Sequence, residues 1–133
     1  MSAPVFSTSD IVKQKIESHL VTGVISILST KEGFGIITEI DLQKTFKEKL
    51  GLTYQKFQIL GACNPELARK AIDYEREVGL LMPCNVIFWE NEDKTVTISF
   101  VDAEKQLSSC DNVELLKIGK DVNLMLKRAI DLI

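Results

Sequence analysis

The chain is poor in the residues that most often build catalytic and metal centres. Its 133 residues include one histidine, three cysteines, three prolines and one tryptophan. A histidine-pair metal site within one chain is therefore excluded, and the cysteines form no Cys-x-x-Cys step of the zinc-ribbon kind. The sequence contains no phosphate-binding glycine loop, no His-Glu-x-x-His motif and no serine-triad pattern. The sequence motifs therefore identify neither a catalytic mechanism nor a cofactor, and they leave open whether the protein is an enzyme.

Long apolar runs are also absent. No stretch approaches the roughly 20 apolar residues that a helix needs to span a bilayer. The first residues lack the charged segment and the apolar run of a secretory signal. An odd number of cysteines, in a chain long enough to build its own core, fits a reducing compartment. We therefore predict a cytoplasmic protein with no membrane partner.

Positive charge is too sparse for a large nucleic-acid footprint. The net charge is −3, with seven lysines against six acids in residues 1–60 and nine basic residues against thirteen acids in residues 61–133. Nucleic-acid binding depends largely on lysine and arginine neutralising phosphates. Lys44, Lys47 and Lys49 are the best candidates for a local patch, but their spacing favours the solvated face of a helix. We expect no nucleic-acid partner.

The length and composition indicate a single globular domain over residues 1–133, with residues 1–9 as a loose leader. Two segments near its start are ambiguous. Residues 10–17 fit either an edge strand or a first helix, and residues 19–32 combine strand-favouring residue types with helical spacing of their apolar positions. Gly33 is a natural helix stop and favours a helix before it.

Further along the chain the local signals are clearer. Asp41 and Asn64 are good N-cap residues, Pro65 suits the first helical position, and Gly51 suits the end of a helix. The predicted elements are strands over residues 34–41, 54–62, 84–90 and 94–102, helices over residues 42–50 and 65–76, a loop over residues 103–110, and a last helix for which Asp111 is the predicted N-cap.

Alternation along the strands predicts a sheet with one buried face. The residues expected to share a face are Phe34, Ile36, Thr38 and Ile40 in one strand, and Val96, Ile98 and Phe100 in another. Residues 84–90 are apolar on both faces, with Val86 and Phe88 on one and Ile87 and Trp89 on the other. We therefore predict helices covering one side of the sheet and a second subunit partly covering the other.

Three blocks of the sequence resemble a known family. They are GFGIITEIDLQKTFKEKLG, FQILGACNPELARKAI and VGLLMPCNVIFW, and the resemblance to domain of unknown function 302 extends over roughly residues 23–103. The resemblance implies an α+β two-layer sandwich, an antiparallel sheet with helices on one face, similar in topology to half of a TATA-binding protein. It also implies a homodimer, and a strand followed by a helix before Gly33. The resemblance implies no activity, and a topology similar to that of a TATA-binding protein does not by itself imply DNA binding.

Two Cys-Asn steps stand at opposite ends of the helical crossover between residues 63 and 85. Cys63 precedes a predicted helix start, where the helix dipole lowers the pKa of a thiol. Cys84 opens the next strand after Pro83, and Asn64 and Asn85 follow the two cysteines. If the strand ends are adjacent, these residues form one cluster. The plainer interpretation is that both cysteines are small buried hydrophobes and that Asn64 is only a cap.

We carry three hypotheses forward. The first is a homodimeric module that binds a small ligand at Cys63, Asn64, Cys84, Asn85, Met82 and Trp89, in a pocket also walled by Leu80, Leu81 and Phe88. The second is a thiol-redox or soft-metal enzyme that uses Cys63 and Cys84. The third is an interaction domain that uses the open sheet face, including Thr95, Thr97 and Ser99.

Overall fold

The structure, a computed structural model, describes residues 13–132, so the predicted leader over residues 1–9 lies outside the described residues. One five-stranded sheet has the order β1-β5-β4-β3-β2, and every neighbouring pair is antiparallel. The strands are β1 (Lys13–Ile16), β2 (Gly35–Asp41), β3 (Phe57–Cys63), β4 (Cys84–Glu90) and β5 (Val96–Phe100). The helices are α1 (Val21–Thr30), α2 (Leu42–Leu50), α3 (Pro65–Tyr74), α4 (Ala103–Leu107) and α5 (Val113–Asp131), with 3₁₀ turns over Ser18–Leu20, Arg76–Leu81 and Ser108–Cys110.

This architecture is an α+β sandwich, as predicted, and the order of a strand and then a helix before Gly33 is confirmed. The predicted caps are also in place. The Asp41 carboxylate accepts from the backbone N–H of Lys44 at 3.1 Å, and Gly51 ends the helix in the left-handed conformation with φ of 67°. Short-range sequence rules therefore determine where α2 begins and ends.

The core lies on one face of the sheet, between the strands and the helices. Leu60, Val86 and Ile98 are at most 1% exposed and pack in one cluster with the buried residues of α1 and α5. We call this the core face. The alternate strand residues form the second face and lie outside that cluster; they include Phe57, Ile59, Ile87, Trp89, Thr97 and Ser99. The predicted assignment of Val86 and Phe88 to one face, and Ile87 and Trp89 to the other, is confirmed.

A β-bulge in the edge strand β2 corrects one prediction. Ile36 pairs with Ala62 and the next pair is Thr38 with Gly61, so Ile37 is an extra residue with no direct partner on β3. An extra residue shifts the side chains that follow it to the other face. Ile36 and Thr38 therefore do not share a face, and the regular alternation predicted for this strand is wrong.

A short helix replaces the predicted loop over residues 103–110. Asp102 caps α4 by accepting from the backbone N–H of Lys105 at 3.0 Å. The cap of α5 is also shifted by one residue from the prediction, because the Asn112 side chain accepts from the first-turn N–H groups while Asp111 adopts a positive φ of 48°. A five-residue helix is too short to leave a periodic apolar pattern, and so the sequence did not predict α4.

Gly119 lets α4 approach the middle of α5 closely. A Cβ atom built on Gly119 would lie 2.8 Å from the Cα atom of Glu104 and 2.9 Å from the carbonyl oxygen of Ala103. Both neighbours are backbone atoms, which cannot rotate away as a flexible side chain can. Glycine at this position is therefore required by the contact between the two helices.

We expect Gly119→Ala to lower the free energy of unfolding by about 1–3 kcal/mol through overpacking. The sign of the change in stability is diagnostic, because replacing glycine by alanine in an ordinary helix interior would raise the free energy of unfolding by about 1 kcal/mol. Urea unfolding followed by circular dichroism measures the change. Gly79→Ala is the matched control, since a Cβ atom there would meet no heavy atom within 4 Å in the described part of the chain. A Gly119→Ala protein more stable than the parent would contradict the close-packing account.

Candidate ligand cavity

A cavity of about 300 Å³ lies between the core face and the helices, beside the ends of β3 and β4. Its walls come from β2, β3, β4, α3, α4 and α5 and from the segment that leads into β4, and most of the wall atoms are apolar. The lining residues are Phe34, Ile37, Ala62, Cys63, Asn64, Leu67, Ala68, Ala71, Ile72, Leu81, Met82, Pro83, Cys84, Ala103, Gln106, Leu107, Ile118 and Val122.

Small side chains keep this space open. Ala62 on β3, Ala68 and Ala71 on α3 and Ala103 on α4 all line the cavity, and three of these four are buried. Protein interiors are normally packed as densely as organic crystals, with few voids larger than a water molecule. Alanines at these positions therefore leave a volume that larger apolar side chains would have filled.

The two cysteines meet at this cavity because their strands pair. Cys63 is the last residue of β3 and Cys84 is the first of β4, and Ala62 lies directly opposite Cys84 in the antiparallel register. Cys63 follows Ala62 by one residue, so it lies next to Cys84 at the same end of the sheet, and both are free, half-buried cysteines among the residues that line the cavity. The Met82-Pro83 peptide before Cys84 is cis. The pairing of β3 with β4 thus brings both cysteines to the end of the sheet beside the cavity.

Burial raises the pKa of the Cys84 thiol to about 11, and the neighbouring Cys63 adds a smaller effect in the same direction. The low-dielectric surroundings penalise the charged thiolate, which is the form that attacks electrophiles and binds metals. Cys84 is therefore a protonated, poorly nucleophilic thiol at neutral pH. This property weighs against the hypothesis of an enzyme that uses Cys84 as a thiolate.

Asn64 connects three segments behind the cavity wall. Its side-chain oxygen accepts from the backbone N–H of Leu67 at 3.2 Å, which caps α3 as predicted. Its amide nitrogen donates to the backbone carbonyl of Glu32 at 3.2 Å, in the loop between α1 and β2. The Glu32 carboxylate pairs in turn with Arg128 of α5 at 2.7 Å. Asn64 thus has a structural role in addition to facing the cavity.

The structure brings four of the six predicted site residues to the cavity. Cys63, Asn64, Cys84 and Met82 line it, together with Leu81. Asn85 and Trp89 do not, because successive strand residues point to opposite faces and both belong to the second face of β4. Trp89 stacks there on Phe57 with ring centroids 5.8 Å apart.

Two further residues of the predicted pocket also lie elsewhere. Leu80 is 85% exposed, and Phe88 is on the core face but farther along β4 than the cavity.

Sequence reasoning missed the part of the wall that α4 and α5 provide. Ile118 and Val122 belong to the apolar stripe of α5, and such a stripe does not distinguish a residue that fills the core from one that faces a void. Gln106 lay in the predicted loop. The pairing of α4 with α5, through Gly119, is the long-range contact that brings these residues to the cavity.

The described residues contain no group of three His, Cys, Asp or Glu side chains that lie together as metal ligands would. Among the helices of residues 13–132, none is long and apolar enough to cross a membrane.

The fold is an antiparallel sheet with helices on one face, a two-layer α+β sandwich with an apolar cavity in its core layer. The profile of the family described as Domain of unknown function DUF302 matches residues 14–133, and the chain belongs to that family. Among solved structures, it is similar to the crystal structure of an uncharacterized conserved DUF302 protein from Bacillus stearothermophilus. That similarity has a TM-score of 0.80 and 21% sequence identity, over 90% of this chain and 94% of that chain. No curated protein matches the chain.

We expect Cys84 of the folded protein to react with iodoacetamide at a rate that rises with pH towards about 11, because its thiol pKa is raised to that value. The rate for an ordinary thiol would be half-maximal near pH 8.5. The raised pKa also means that the Cys84 contribution to stability is complete below the ordinary thiol range and is lost as pH rises towards 11. Mass-spectrometric peptide mapping of the alkylated protein measures the rate for each cysteine. The same protein unfolded in guanidinium is the control, and a folded-state rate that is half-maximal near pH 8.5 would refute the assignment.

Proposed function

We propose that this protein is a small-molecule-binding domain whose ligand occupies the cavity beside Cys63, Asn64, Met82 and Cys84. The observation that carries the proposal is the cavity itself, an apolar void of about 300 Å³ with a few polar groups on its wall. Ligand sites are usually concave, mostly apolar and within the range of about 300–1,000 Å³. The net charge of −3 also favours a small molecule over nucleic acid as the partner.

The position of the cavity supports the same conclusion. It lies where three helices and the ends of two strands converge, on the face that otherwise carries the packed core. A bound apolar molecule would make dispersion contacts with the lining side chains and would therefore stabilise the folded protein.

We expect Ala68→Leu to weaken ligand binding tenfold or more by filling the cavity with a larger side chain. A thermal-shift screen of small apolar compounds, followed by calorimetric titration of the compounds that stabilise the protein, measures binding. Lys70→Leu is the matched control, because it introduces the same side chain at an exposed position on the same helix outside the cavity. The proposal fails if no compound stabilises the parent protein, or if both variants bind as the parent does.

We also propose that two copies of the chain associate through the second face. Ile40 pairs with Ile59 and Ile59 pairs with Ile87, so three isoleucines form a row across three neighbouring strands. Ile40 is 46% exposed, although it is a large apolar side chain. Contiguous apolar surface of this kind is typical of protein interfaces. The free state of the three cysteines is consistent with a reducing, cytoplasmic location, which we include in the proposal.

We expect Ile40→Glu to shift the protein from dimer to monomer, because a carboxylate at an apolar interface loses water without gaining a partner. Size-exclusion chromatography with light scattering, over a range of micromolar concentrations, measures the mass. Leu124→Glu is the matched control, since Leu124 is 56% exposed on α5, away from the second face. A monomeric parent protein, or equal effects of the two variants, would remove the dimer from the proposal.

The interaction-domain hypothesis receives less support from the residues that it named. Thr97 and Ser99 are 8% and 4% exposed, so they offer little surface to a partner. The Thr97 hydroxyl is also engaged with the Asn91 side-chain amide at 3.0 Å. The part of the second face suited to a partner is the apolar row, and we therefore assign that surface to the dimer.

A further inference from the structure

The cavity wall is neutral. Among the described residues that line it, none is lysine, arginine, histidine, aspartate or glutamate. An ion that leaves water for such a place loses its hydration without meeting an opposite charge, and the free-energy cost is large. The neutral wall of the cavity therefore favours a neutral ligand.

The two side-chain amides on the wall, those of Asn64 and Gln106, differ in the hydrogen bonds that they already make within the protein. The Asn64 amide is committed to protein partners on both sides, to the N–H of Leu67 and to the carbonyl of Glu32. The Gln106 side-chain amide has no hydrogen-bond partner within residues 13–132. An amide of this kind donates two hydrogen bonds and accepts at its oxygen. Gln106 is thus the amide on the wall that is free to pair with a ligand.

The backbone under Gln106 is held firmly. Its N–H donates to the carbonyl of Asp102 at 3.0 Å, and its carbonyl accepts from the hydroxyl of Ser109 at 3.0 Å. Asp102 is tied to α5, because the Asn123 amide nitrogen donates to its carboxylate at 2.8 Å. The Asn123 oxygen accepts from the N–H of Ala103, also at 2.8 Å. A side chain mounted on such a fixed segment can position a ligand group with little loss of conformational freedom.

The volume bounds the size of the ligand. A cavity of about 150 Å³ lined by aliphatic and aromatic side chains accommodates benzene. The cavity here is about 300 Å³. Benzene has six non-hydrogen atoms, so a cavity of twice that volume accommodates an apolar body of about a dozen non-hydrogen atoms.

We propose that Gln106 determines the specificity of this cavity, and that its ligand is a neutral molecule with a compact apolar body and one hydrogen-bonding group that pairs with the Gln106 amide. The inference rests on the proposed ligand-binding function and adds the chemical class of the ligand. Gln106 is half-buried, and a ligand in the cavity displaces water from its amide. An analogue without the matching group leaves that amide unpaired, so the site selects ligands that pair with it.

Four compounds with one shared ring system test the inference: naphthalene, 2-naphthol, 2-naphthamide and 2-naphthoate. Calorimetric or NMR titration of the parent protein measures each dissociation constant. We expect naphthalene to bind weakly, and 2-naphthol or 2-naphthamide to bind at least tenfold more tightly because each can pair with Gln106. The charged naphthoate should bind at least tenfold more weakly than the naphthamide, since the wall supplies no cation.

The variant Gln106→Met keeps the length of the side chain and removes the amide. We expect it to reduce the affinity for 2-naphthamide to that for naphthalene, while naphthalene itself binds as tightly as before or more tightly. Retained naphthalene binding shows that the variant is folded with its cavity intact. Gln55→Met is the matched control at an exposed position outside the cavity, and it should change none of the four affinities.

The outcomes separate the two levels of the proposal. If none of the four compounds binds, the inference falls together with the proposed function. If naphthalene binds but the neutral polar compounds gain no affinity, or if Gln106→Met leaves the series unchanged, the inference is overturned while ligand binding stands. Tighter binding of naphthoate than of naphthamide also overturns it, because the ligand would then be an anion.

Discussion

The packing of α5 on the core face of the sheet is the interaction on which the rest of the structure depends. Leu115, Leu126 and Ala129 of this helix are completely buried, in one hydrophobic cluster with strand residues such as Leu60 and Ile98. Full burial of each large apolar side chain contributes roughly 1.5–3 kcal/mol. The alternation of the strands directs one set of side chains towards α5, and this shared burial defines which face of the sheet is the inside.

The cavity is a consequence of how that inside is covered. One long helix cannot cover five strands, so α3 and α4 cover the remainder at the ends of β3 and β4. Alanines on the facing surfaces hold these elements around a space instead of closing it. Asn64 fixes the start of α3, and Asn123 with Asp102 fixes α4 on α5. Hydrogen bonds therefore maintain the walls where apolar packing alone would favour collapse.

Local chemistry made part of this structure predictable. Asn64 and Pro65 mark the start of α3, Gly51 marks the end of α2, and the apolar residues of β4 divide between the faces as expected. The quoted sequence blocks also led to the correct family and architecture. These features are encoded within a few neighbouring residues, or in motifs long enough to be specific.

The features that the sequence did not reveal depend on distant contacts. Nothing near Ile37 signals a bulge, because the bulge is defined by the register against β3. Gln106 became a cavity residue only when α4 formed and packed on Gly119 of α5. Two of the predicted site residues, Asn85 and Trp89, were grouped with the cysteines by proximity in sequence. The pleat of β4 sends them to the other face.

The bulge in β2 has a consequence for the behaviour of the protein in concentrated solution. β2 is the last strand at its edge of the sheet within residues 13–132, and the outer row of N–H and C=O groups on such a strand is a template on which another chain can add a strand. The extra residue at Ile37 breaks the spacing of that row, and Glu39 and Asp41 place negative charges along it. The β2 strand of a second copy would meet a row of hydrogen-bonding groups with mismatched spacing. Its Glu39 and Asp41 would also be repelled by the same residues of the first copy. The irregularity that shapes one wall of the cavity therefore also guards this border against open-ended, fibril-like growth.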